Sequence, residues 1–130
     1  MEPARLELRI LSDTGAPGSA RRALSRLAET LPLGTLDGLQ LMVSELVTNC
    51  VRHAGMRPTD LIGVRVFVFP RKVRLEVSDD GPGFEPVPPA PTIHSESGWG
   101  LFLVDQLADR WGVVSQPATS VWLEVDLPRD

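Results

Sequence analysis

The chain has 130 residues, with 13 Lys and Arg against 17 Asp and Glu, a net charge of −4, 42% hydrophobic and 23% charged residues. That length is one ordinary domain, expected to run over residues 1–130, and it can bury a core without disulfide or metal staples. The acidic balance excludes a sequence-blind nucleic-acid binder, which needs a basic stripe. No run reaches the ~18–20 apolar residues that span a bilayer, and the single Cys50 cannot close an internal disulfide.

In chain order, Arg5-Leu6-Glu7-Leu8-Arg9-Ile10 alternates polar and apolar and reads as a half-buried strand. Ala16-Pro17-Gly18-Ser19 is a turn with helix-start chemistry. Ala20, Ala23, Leu24, Leu27, Ala28 and Leu31 then recur at three- and four-residue spacing, an amphipathic helix ended by Pro32 and Gly34. A second helix starts near Thr35 or Asp37, carries Leu39, Met42, Val43, Leu46, Val47, Cys50 and Val51, and stops at Gly55. Ile62–Phe69 and Lys72–Val77 alternate around Pro70-Arg71 and predict a hairpin.

Asp79-Asp80-Gly81-Pro82-Gly83-Phe84 breaks regular structure, and Glu85–Ser97 is irregular and proline-rich, the length and composition of a functional loop or lid. Gly98-Trp99-Gly100 opens a third helix that runs through Leu101, Val104, Leu107 and Ala108 to about Trp111, where Gly112 ends it. Strands follow near Val113-Val114 and over Val121–Val125. Strands and helices come in runs, which predicts an α+β two-layer sandwich: a mainly antiparallel sheet with helices on one face.

Three constellations could carry chemistry. Glu45, Asn49 and His53 stand at i, i+4 and i+8 on the second helix, each turned about 40° from the last, so they share a face. A carboxylate and an amide one turn apart can offer oxygens to a hard cation, or one can orient a nucleophile; alone, the pair is equally a solvated helix face. Asp79-x-Gly81-x-Gly83 follows a strand, where the glycines admit close approach of a ligand and the carboxylate can accept from an exocyclic amine; alone, it is a turn. Gly98-x-Gly100-Leu101 opens a helix whose unpaired N–H groups suit phosphate. It is neither a Rossmann fingerprint nor a phosphate loop with Gly-Lys-Ser/Thr, and Lys72 is the only lysine beside twelve arginines.

Taken together and in this order, Glu-x-x-x-Asn, Asp-x-Gly-x-Gly, a lid loop and Gly-x-Gly-Leu resemble the GHKL ATPase superfamily. Val43-Ser44-Glu45-Leu46-Val47-Thr48-Asn49-Cys50-Val51-Arg52-His53-Ala54 and Glu96-Ser97-Gly98-Trp99-Gly100-Leu101 are similar to the bacterial anti-sigma-factor serine/threonine kinases, as are Leu103-Val104 and Arg110-Trp111-Gly112. The resemblance spans the chain from the first strand to Val125.

It implies a Bergerat-type sandwich with a mixed, largely antiparallel sheet, and ATP and Mg²⁺ as cofactors. It implies Asn49 as the Mg²⁺ ligand, Glu45 as general base or as the group that orients the attacking hydroxyl or water, and Asp79 as acceptor for the adenine amino group. Gly81 and Gly83 would floor the base, and Gly98, Gly100 and Leu101 would border the phosphates. Ser120 would stand near the base, and Arg52 would reach phosphate. His53 reads better as a helix-end packing or capping residue. The Gly-Lys-Thr run common before Val-Trp is Ala118-Thr119-Ser120 here, so a basic contact there is lost.

The implied function is an ATP-dependent anti-sigma factor that binds a sigma factor and phosphorylates an antagonist protein. A non-catalytic, nucleotide-gated binding module is the alternative. The catalytic domain of a two-component histidine kinase fits less well, because neither His53 nor His94 lies in a dimerisation-helix context. A cytoplasmic protein without nucleic-acid or membrane partner is expected, since the chain starts without an apolar signal segment, and a homodimer is expected from the resemblance alone.

Overall fold

A computed structural model describes residues 4–53, 57–79, 96–114 and 119–128. Five strands, β1 (Ala4–Leu11), β2 (Leu61–Val68), β3 (Lys72–Asp79), β4 (Arg110–Val114) and β5 (Ser120–Asp126), form one sheet in the order β1-β2-β3-β5-β4. Every pairing among them is antiparallel, so the parallel component of a mixed sheet is absent from the described strands. Helices α1 (Ala16–Leu24), α2 (Leu33–His53) and α3 (Glu96–Leu107) complete the expected order of elements.

The alternation read from the sequence gives the sheet two chemically distinct faces. Leu6, Val66, Leu75 and Leu123 align across four strands, all buried, and Leu8, Val64 and Val77 form the next row. The helices pack on this side: α1 against β1 and α2, and α2 against β3 and α3. Leu39, Met42, Val43, Leu46 and Val47 of α2 are at most 3% exposed. At roughly 1.5–3 kcal/mol for each fully buried aliphatic side chain, this contact contributes substantially to stability. Among the described residues no helix is long and apolar enough to cross a membrane.

The opposite face is charged. Glu124 of β5 is only 7% exposed and meets three cations: Arg110 at 2.9 Å, Lys72 at 3.2 Å and Arg74 at 3.3 Å. The hydrogen bond from Arg110, then those from Lys72 and Arg74, hold its carboxyl at about 2, against burial, which pushes the other way. Arg110 also binds Asp126, and Arg74 lies 4.6 Å from the centroid of the Trp122 ring.

Several boundaries differ from expectation, and α1 already begins at Ala16, within the segment read as a turn. The first helix ends at Leu24 and continues as a 3-10 turn over Ser25–Leu27, then a tight turn in which Leu27 O accepts from Thr30 and Leu31 N–H. This keeps Leu27 and Leu31 buried without extending the helix toward Pro32. α2 starts at Leu33, ahead of Thr35, because Pro32 supplies the carbonyl that Leu36 N–H binds at 3.0 Å and lacks only an N–H that no helix start uses.

α3 stops at Leu107, and Trp111 lies on β4 opposite Leu123. Sheet pairing wins over helical periodicity there: Asp109 N–H binds Glu124 O at 2.8 Å, and Trp111 Nε1 donates back to Asp105 Oδ1 at 2.9 Å. Gly112 therefore ends no helix. It faces Trp122 across the ladder, where a Cβ would stand 2.8 Å from the indole nitrogen.

Because Glu124 titrates below its ordinary 4.5, its contribution is complete above about pH 5 and is lost as the pH falls toward 2. Glu124→Gln is expected to lower the unfolding free energy at pH 7 by about 1–3 kcal/mol and to flatten its decline between pH 5 and 2. Urea titrations across that range check it; an unchanged slope contradicts the role.

Candidate functional site

α2 carries two of the predicted residues on one side. Met42, Leu46 and Val47 are buried, whereas Glu45 and Asn49, one turn apart, are half-buried at the margin of the packed surface. Between them, Thr48 Oγ1 donates to Ser44 O at 2.7 Å, which satisfies the hydroxyl within the helix. Arg52 lies on the last turn and is exposed. His53 is the last residue of α2.

Asp79 is the last residue of β3 and is only 2% exposed. The pleat places it on the helix-facing side, in line with Val73, Leu75 and Val77, and across from Ile62. Its N–H binds Thr119 O at 3.0 Å, so Thr119 stands opposite it. Ser120 pairs with Ser78 one step along, on the charged face. The structure therefore does not bring Ser120 to the side of Asp79; Thr119 holds that place. The period-two count from Val121 and Leu123 marks Thr119 as inward in the sequence itself.

Cys50, read from the sequence only as a core residue, joins the site. Burial first, and then the nearby Asp79 carboxylate, push its thiol up to about 12. α2 packs on β3, and the influence of the Asp79 carboxylate on Cys50 sets the end of β3 near the turn of α2 that carries Asn49, 30 residues away in sequence.

Gly98 and Gly100 fall inside the first turns of α3, which begins two residues ahead of Gly98. Each costs about 1 kcal/mol of helix stability relative to alanine. Leu101 is half-buried against the core. Gly81 and Gly83, and the loop expected over Glu85–Ser97 up to residue 95, lie outside the described residues.

The donor set suits a magnesium ion carried in with a nucleotide. Mg²⁺ keeps an octahedral shell and is usually held by one or two protein oxygens plus phosphates. Glu45 and Asn49 offer such oxygens one turn apart. Among the described residues, no three or more His, Cys, Asp or Glu gather into a dedicated metal cage.

The fold is an antiparallel sheet covered on one face by helices, with Glu45 and Asn49 on the helix that packs against the strand ending in Asp79. Residues 12–125 match the histidine kinase-like ATPase domain, and the chain belongs to that family. It is 31% identical over 121 residues to an anti-sigma F factor of Caldanaerobacter subterraneus, covering 86% of this chain and 85% of the relative. It is 29% identical over 130 residues to the serine-protein kinase RsbW of Bacillus velezensis, covering 89% and 81%. A Mycobacterium tuberculosis protein with RsbU and RsbW domains shares the fold with a TM-score of 0.73 at 21% identity, over 97% of this chain and 32% of that one.

The lone thiol reports on the site directly. Alkylation of Cys50 in the folded protein is expected to be slow at pH 8 and to rise only toward pH 12. Asp79→Asn should move the profile to lower pH, but only part of the way, because burial is the larger cause. A profile centred on the ordinary thiol value would contradict the packing of Cys50 beside Asp79.

Proposed function

We propose that the protein is an ATP-dependent anti-sigma factor with serine/threonine kinase activity, which binds a sigma factor and phosphorylates an antagonist protein in the cytoplasm. One observation carries this reading: Glu45 and Asn49 share the half-buried margin of a helix whose next residue, Cys50, feels the buried Asp79 carboxylate. A helix that only packs has no use for a carboxylate, an amide and a buried aspartate in one place. The relatives named as anti-sigma factor and serine-protein kinase support the same reading.

The residues divide the work. Asp79, on a rigid strand end, accepts a hydrogen bond from the adenine amino group and so favours ATP over GTP, with Thr119 beside it. Asn49 holds Mg²⁺, which would neutralise the phosphates and polarise the transferred group. Glu45 takes the proton of the acceptor serine as its oxygen bonds to the γ-phosphorus and ADP leaves. The first-turn amides of α3, near Gly98 and Gly100, lie at the positive end of its dipole and suit the phosphates, and Arg52 adds an exposed positive charge at the end of α2.

Glu45→Ala is expected to lower phosphotransfer at least 100-fold while ATP binding persists. Labelled ATP with a panel of purified serine-bearing antagonist proteins measures the first, and equilibrium dialysis the second. Transfer at the wild-type rate removes the base assignment; tight ATP binding without transfer to any acceptor favours the nucleotide-gated module. Removing Mg²⁺ should weaken ATP binding strongly, since Lys72, the only lysine, is engaged with Glu124 on the opposite sheet face.

A further inference from the structure

The sheet has two edges, β1 and β4, and among the described residues no strand pairs with the outer side of either. An edge strand offers unpaired N–H and C=O groups to a further strand, and edges commonly carry charges or proline that deter pairing. β1 alternates Arg5, Glu7 and Arg9 along its eight residues. β4 reads Arg110-Trp111-Gly112-Val113-Val114, and its single charge is turned toward β5. Arg110 Nε donates to Glu124 Oε1 at 2.9 Å, and Nη1 donates to Asp126 Oδ2 at 3.3 Å. Val113 and Val114, 40% and 49% exposed, end the strand with apolar surface in water. β4 is the unguarded edge.

The charge beside it has one sign. Asp105 of α3 and Asp109, just ahead of β4, are exposed and form no ion pair among the described residues. Each carboxylate meets a neutral donor: Asp105 Oδ1 accepts from Trp111 Nε1 at 2.9 Å, and Asp109 Oδ2 accepts from Asp126 N–H at 2.6 Å. Such bonds orient a carboxylate without cancelling its charge. Arg110, the nearest cation in sequence, is shared between Glu124 and Asp126. Trp111 aligns with Leu123 on the helix-facing side, so its bond holds Asp105 on that side of β4. The rim of the edge therefore keeps a negative potential.

We propose that β4 takes an extended segment of a partner protein as a sixth strand, with basic side chains on the side of Asp105 and apolar ones on the side of Val114. Backbone hydrogen bonds to an exposed edge supply affinity, and alternate side chains supply specificity. Charge complementarity selects the occupant: a basic segment is drawn to Asp105 and Asp109, and an acidic one is repelled. The aliphatic stems of the basic residues would lie along Val113 while their heads reach the carboxylates. Neither ATP nor phosphotransfer enters this contact.

A fluorescent hexapeptide of alternating valine and lysine, followed by anisotropy at low salt, probes the edge. Binding should weaken as salt rises. It should fall about tenfold in Asp105→Asn/Asp109→Asn, which keeps both acceptor oxygens and removes only charge. Val114→Lys, at a solvent-facing position, should cost about as much. The same peptide N-methylated throughout keeps its charge but has no N–H to give, and should not bind. Glu7→Gln, on the β1 edge, should bind as wild type. Equal binding of the methylated peptide, an equal loss with Glu7→Gln, or unchanged affinity in both β4-side variants overturns the proposal.

Amide hydrogen exchange on the wild-type protein needs no variant. The peptide should slow exchange along β4 about tenfold and leave β1 unchanged. Protection of β1 in place of β4 overturns the assignment. So does a protein whose self-association Val114→Lys abolishes while the peptide protects no β4 amide, because the edge then serves a second copy of the chain.

Discussion

The packing of α2 across the helix-facing side of the sheet is the constraint from which the rest follows. Its apolar stripe packs on β3 and shares one buried core with Val64, Val66, Leu75 and Val77, all at most 2% exposed. Interiors packed at crystal-like density do not slide, so this contact fixes the rotation of α2 about its own axis. That rotation decides what stands at the margin: Glu45 and Asn49 emerge half-buried, and Cys50 turns inward beside Asp79. A turn of about 100°, one residue of register, would carry Glu45 into the buried position of Leu46. Placement of the candidate chemistry is thus a by-product of core packing.

The sheet meets the opposite demand on its other side. A face without a helix over it must tolerate water, and here it does so with paired charges. Glu124 ties β5 to β3 through Lys72 and Arg74 and to β4 through Arg110. Single surface ion pairs stabilise little, but a nearly buried carboxylate with three cationic partners is a network, and removing its centre leaves those cations short of an acceptor. The network also takes the only lysine, so a triphosphate on the helical side must rely on metal, backbone amides and arginine.

Much of this was legible in the sequence, for identifiable reasons. Alternation in Arg5–Ile10 and Lys72–Val77 reports burial on one face, and an i, i+4 pair on a long amphipathic helix reports shared direction. Both are local periodicities, and both survive folding. What failed was non-local. Trp111 continued the helical pattern of α3, yet Leu123 opposite it and Glu124 beside Arg110 drew the segment into the sheet. Ser120 was picked by analogy with a motif position, whereas the pleat, counted from Leu123, assigns Thr119 to the side of Asp79. The nearness of Cys50 and Asp79 depends on how α2 crosses β3, which no single-segment pattern encodes.

The same distinction separates two sets of arginines. Sequence alone shows twelve arginines and one lysine, a composition that says nothing about which are spent within the fold. Arg65, Arg74 and Arg110 meet carboxylates in register across the ladder and Arg5 meets Glu7 on its own strand, so these four contribute little to the field outside the molecule. Those of α1 and its 3-10 turn have only hydroxyl partners: Arg21 meets Ser44, and Arg22 meets Ser19 at 3.3 Å. A hydroxyl orients a guanidinium without cancelling its charge, so the positive potential on that side persists. The bond from Arg21 Nη1 to Ser44 Oγ and the bond from Gln40 Nε2 back to Arg21 O tie this basic segment to the helix of Glu45 and fix its position relative to the candidate site.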